Sequence, residues 1–132
     1  MALRVKIWLT GKGAHGFLGE GRYRLLRAIA RQGSLRQAAK ELGVSYRKAW
    51  GDIRSMQEQL GFELVSRQRG GSRGGTSCLT ERAKKLLEAF AEIKTELERT
   101  AKLQYEQKMK PLMNDETRRS NFRHARQLSS KH

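Results

Sequence analysis

The sequence predicts a mainly α chain with one small β-hairpin wing, and three observations predict it. Between residues 20 and 61 three apolar stripes of helical period follow one another, each closed by a glycine: Gly33, Gly43 and Gly61. The period then changes to that of short strands on either side of RQRGGSRGGTS, residues 67–77, whose glycines suit a hairpin tip. A final stripe, in steps of three and four, runs from Thr80 to about Lys110, and a helix of that length needs a partner.

The elements are taken in order. Leu3, Val5, Ile7 and Leu9 alternate with Arg4, Lys6 and Trp8, the period of a strand with one buried face, which ends at Gly11. From Glu20 to Gln32, Tyr23, Leu26, Ile29 and Ala30 form the inner face of a first helix. Ser34 offers an N-cap to a second, short helix with Leu35, Ala38, Ala39 and Leu42 on its apolar side. After the bend GVS, Ser45 caps a third helix in which Ala49, Ile53, Met56 and Leu60 share one side. Phe62, Leu64 and Val65 read as a strand, Cys78 and Leu79 as its return, and the long helix carries Ala83, Leu86, Phe90, Ile93 and Leu97. Pro111 ends it. Residues 111–132, polar and basic with no sustained period, read as a mobile tail.

Two helices meeting across a tight bend need a small side chain where they approach and a glycine where the backbone turns; Ala39 and Gly43 supply both, and Val44 plugs the bend. That is a helix-turn-helix, and with the hairpin beside it a winged one. The third helix then leaves Ser45, Tyr46, Arg47, Lys48, Gly51 and Arg54 on its outer surface. Such a helix can enter a major groove with Tyr46, Arg47 and Lys48 at base edges, while backbone N–H groups at the starts of both helices and Arg54 meet phosphates; Ser34, Arg36 and Ser45 complete the expected DNA-binding set. Arg69 and Arg73 on the wing tip can reach the backbone or a minor groove. Charge agrees: 28 Lys and Arg against 13 Asp and Glu give +15, which favours a polyanionic partner such as double-stranded DNA.

The motif GSLRQAAKELGVSYRKAW, followed by GGSRGGTSCLT, resembles the N-terminal DNA-binding domain of the ModE family of molybdate-responsive regulators, itself similar to LysR-type winged helices. The resemblance covers residues 1 to about 105 and implies a homodimer that binds a palindromic operator and regulates transcription. Thr76 stands where that family carries a glycine, and the stretch after the long helix is too short for the family's molybdate-binding modules, which are expected to be absent. The expected organisation is a winged helix-turn-helix over residues 1–79, a dimerisation helix over 80–110 and the basic tail over 111–132. Beyond Phe90, the side chains of Ile93, Leu97 and Ala101 have no domain left to cover, so Phe90, Ile93, Leu97 and Ala101 are the expected dimer interface.

Other readings of the same residues exclude themselves to different degrees. GKGAHG, residues 11–16, has the GxGxxG spacing between a strand and a helix, yet no second parallel strand or acidic residue completes a dinucleotide site. Gly70 to Gly75 has the first spacing of a P-loop but puts Thr76 where lysine must bridge phosphates. His15, Cys78 and Ser45 give no reason to assemble as a nucleophilic triad, so no catalysis, cofactor or metal is expected. The lone Cys78 reads as a small core residue, and Trp8 and Trp50 as packing residues. The lack of an apolar run near ~18 residues, and an opening too short for a signal peptide, predict a cytoplasmic protein with no membrane partner. An architectural, sequence-tolerant nucleic-acid coater stays open as an alternative, as does, more remotely, a small nucleotide-binding enzyme.

Overall fold

The computed structural model describes residues 1–13, 15–68, 76–113 and 116–129. Two compact units divide the chain: Lys6–Lys94, and Met1–Val5 together with Thr95–His132.

In the larger unit a short antiparallel hairpin, β1 (Leu9–Thr10) and β2 (Gly16–Leu18), leads into α1 (Glu20–Gln32), α2 (Leu35–Leu42) and α3 (Tyr46–Leu60). A second antiparallel hairpin, β3 (Val65–Gln68) and β4 (Thr76–Leu79), pairs Val65 with Leu79 and Gln68 with Thr76. It is the wing, and it feeds α4 (Glu81–Lys108), whose residues up to Lys94 belong to this unit. The mainly helical fold with one small wing is the expected one. The leading strand is not: of the alternating residues Leu3 to Leu9 only Leu9 is in a strand, because β2 offers just three residues to pair with.

The core gathers Leu18, Leu26, Ile29, Leu35, Ile53, Met56 and Leu64, all almost fully buried, with Ala38, Ala39 and Ala49 where α2 and α3 approach. These small side chains let the two helices come close enough for their larger neighbours to interlock. Gly43, at a φ of 69°, ends α2 in the left-handed region that residues with a Cβ avoid, and the Val44 N–H donates to the Ala39 carbonyl at 3.0 Å. Val44 itself packs on the core, as the bend requires. On α1 the inner face includes Leu25 and Ala28, while Ala30, expected inside, is exposed.

Gln57 ties the start of the wing to α3. Gln57 Oε1 accepts from the Leu64 N–H at 2.8 Å and from the Val65 N–H at 3.4 Å, so backbone that enters the core before β3 does not go unpaired. Thr80 does the same at the far end: its hydroxyl donates to the Glu63 carbonyl at 2.8 Å and caps α4 by accepting from the Ala83 N–H at 3.1 Å. Along β4, Ser77 and Leu79 are buried and Cys78 lies on the opposite side, half-buried, so the expected core thiol is instead an outward strand position. Trp8, also expected to pack inside, is 58% exposed, its indole lying where a Cβ on Gly16 would collide with it.

The smaller unit holds the rest of α4, the single turn α5 (Lys110–Met113) and α6 (Glu116–Ser129). The last of these is a helix, not expected from a sequence that reads there as a mobile tail. Its apolar residues, Phe122, Ala125 and Leu128, come at steps of three within a basic, polar run, a helical spacing too sparse to stand out in the sequence. Pro111 sits in the first turn of α5, where its missing N–H costs nothing.

Candidate nucleic-acid interface

The outer face of α3 is positioned by its inner one. Ala49, Ile53 and Met56 are fully buried, so the positions roughly opposite on the helix, Arg47, Gly51, Arg54 and Glu58, are left exposed. Arg47, Trp50, Gly51, Arg54, Ser55 and Glu58 line a shallow cleft of about 340 Å³ along this face. The Arg54 guanidinium lies 5.9 Å from the centre of the Trp50 ring, within range of a cation–π contact.

At the start of α3 the second helix joins in. The Arg36 guanidinium stands 4.5 Å from the centre of the Tyr46 ring, which brings the first turn of α2 against the first turn of α3. Tyr46 is half-buried and packs on the core edge, so its ring is held in place while Arg47 beside it is exposed. Ser34 and Ser45 both act as N-caps: the Gln37 N–H donates to Ser34 Oγ at 3.2 Å and the Lys48 N–H to Ser45 Oγ at 3.0 Å. Capping uses each hydroxyl as an acceptor and leaves its proton to donate to an external oxygen.

Charge is unevenly committed. Lys48 Nζ lies 3.2 Å from Asp52 Oδ2, and the same carboxylate takes Arg22 at 3.4 Å, so Lys48 is partly neutralised within the chain. Among the described residues Arg36, Arg47 and Arg54 make no ion pair, which leaves three guanidiniums for an anionic partner. Away from this face, the Lys94 ammonium hydrogen-bonds Glu20 at 2.8 Å and holds its carboxyl below the ordinary range, with Arg24 adding to the effect. That pair fastens the start of α1 to α4.

The structure thus brings Arg36, Ser45, Tyr46, Arg47, Lys48 and Arg54 together about one helix and its entry, with Ser34 capping α2 nearby in sequence. Arg69 and Arg73 lie outside the described residues. Trp50 was legible only as a packing residue, and Ser55 and Glu58 were missed, because a helical period marks the apolar side and is silent about which polar neighbours share a cleft. Of the expected dimer residues, Phe90 is buried with its ring 5.0 Å from that of Tyr23, and Ala101 is also buried; Ile93 and Leu97 are 56% and 41% exposed. The GKGAHG segment joins antiparallel β1 and β2, not the parallel strands of a dinucleotide fold. Among the described residues no cluster of His, Cys, Asp and Glu could hold a metal ion, and no helix is long and apolar enough to cross a membrane.

Comparison with known proteins places this geometry. Residues 21–84 match the model of the bacterial regulatory helix-turn-helix protein, lysR family. The molybdenum-pterin-binding protein MopB of Rhodobacter capsulatus is 40% identical over 76 residues, covering 58% of this chain and 28% of that protein. The transcriptional regulator ModE of Haemophilus influenzae is 39% identical over 74 residues, covering 56% of this chain and 29% of that protein. The chain therefore spans less than a third of the length of these relatives. A crystal structure of a BenM_DBD/benA site 1 DNA complex is similar over 68% of this chain and 96% of that one, with a TM-score of 0.50 at 16% identity, a likeness of fold. Over residues 21–84 the chain is thus similar to the helix-turn-helix of the lysR family, and the segment that carries it is similar to part of the Haemophilus influenzae regulator ModE.

Proposed function

We propose that the chain is a sequence-specific, double-stranded DNA-binding transcriptional regulator that acts as a homodimer. The observation that carries the reading is the exposed face of α3, where Arg47, Gly51 and Arg54 face outward from a helix whose other side is locked into the core. A helix so held enters a major groove as a rigid body: Tyr46 and Arg47 meet base edges, Arg54 and Arg36 meet phosphates, and the capped starts of α2 and α3 add N–H donors and the positive ends of their dipoles. Lys48, shared with Asp52, takes the lesser part. The wing arginines Arg69 and Arg73 extend the contact along the backbone. Similarity to proteins named as regulators supports the same reading.

Two copies are joined through α4. Ile93 and Leu97, four residues apart, form an exposed apolar stripe whose burial against a second copy removes it from water. Phe90 and Ala101, at either end, are already covered within the chain and serve to fix the helix.

The net charge of +15, to which the basic α6 contributes, favours a second reading: a sequence-tolerant coater of nucleic acid. Titration at one salt concentration separates the two. A duplex selected from a random library should bind ~10³-fold or more tighter than its scrambled counterpart if the chain is a regulator, and about equally if it is a coater.

A further inference from the structure

We infer that Gly51 is a specificity-determining residue, a notch in α3 that receives the 5-methyl group of a thymine; the inference rests on the reading of the chain as a sequence-specific DNA binder. Gly51 is the sixth residue of a 15-residue helix, a position where glycine costs stability relative to alanine. The usual reasons for that cost are missing. Its φ is not positive, since Gly33, Gly43 and Gly61 alone are so among the described residues. A Cβ placed on it meets nothing within 4 Å. Neither the backbone nor the packing of the chain requires a glycine there.

A requirement from outside the chain fits the surroundings. Gly51 lies at the floor of the cleft between Arg47, one turn before it, and Arg54, one turn after, with Trp50 and Ser55 completing the walls. In a major groove the thymine methyl is the one apolar group that stands out from the base edges, while the other features are donors and acceptors. A patch of bare backbone walled by an indole and two arginine stems admits a methyl and excludes a helix side chain from the same space. A phosphate suits it less well, because Glu58 closes one end of the cleft with an exposed carboxylate.

The test uses the whole chain and a duplex recovered from a randomised library by repeated selection with it. Each thymine of that duplex is replaced in turn by deoxyuridine, which lacks only the methyl. Wild-type protein should lose about fourfold in affinity at one thymine per half-site, the worth of one buried methyl. Gly51→Ala should melt no lower than wild type, bind the selected duplex about tenfold more weakly, and prefer deoxyuridine to thymine at that one position. The inference is overturned if Gly51→Ala binds the selected duplex as wild type does, if no deoxyuridine position matters to the wild type, or if Gly51→Ala lowers the melting temperature. Failure of the larger reading looks different: selection with the wild type would then return no preferred sequence.

Discussion

Arg47 and Lys48 are adjacent, both exposed and both cationic, yet the structure gives them different environments. Lys48 has Asp52 one turn on; Arg47 has no acidic partner among the described residues and looks into the cleft. A guanidinium held at the start of a helix and free to fork onto a guanine edge supplies discrimination that a paired ammonium does not. Arg47→Ala is therefore expected to weaken binding to the selected duplex by ~1–3 kcal/mol and to relax preference at one base pair, leaving the others intact. Affinities for a panel of single-base variants read this directly, and a uniform loss across the panel would assign Arg47 to the backbone instead. At this scale the sequence was legible where one residue type answers one need: Gly33, Gly43 and Gly61 all have positive φ, and Ser34 and Ser45 both cap. It was illegible where a neighbour from another element decides. Tyr46 is half-buried and clasped by Arg36 of α2, and Cys78 faces away from the core because β4 aligns Ser77 and Leu79 inward.

The helices α1 to α4 and the wing were legible as elements because the apolar period and the residues that start or stop each of them agreed. The leading strand was over-read, since alternation describes one face but does not supply the neighbouring strand that β1 needs beyond Thr10. The helix α6 was under-read because Phe122, Ala125 and Leu128 are its apolar residues, too few to stand out as a period in a basic, polar run. What no pattern could reveal is the coupling of α3 to the wing through the Gln57 amide, which spans the change from helix to strand. Gln57→Leu keeps the volume and removes the acceptor, so the N–H of Leu64 is left without its partner. Urea unfolding should show a loss of about 1–3 kcal/mol. A loss of only a few tenths would mean that solvent or another group replaces the bond, and that the wing is not anchored through this residue.

Across the whole molecule the central claim is that α3 lies in a major groove, presented twice by a dimer. Two half-sites are then spaced by about one helical turn, ~34 Å. Premodification interference on the selected duplex examines both parts at once, since methylation at guanine N7 alters the major groove and methylation at adenine N3 the minor. Guanine N7 methylation should abolish binding in two clusters about 10 base pairs apart, and Leu97→Glu, which puts a charge into the proposed α4 seam, should reduce the pattern to one cluster. Interference confined to adenine N3, or spread evenly with no cluster at all, would contradict an α3 that reads the major groove.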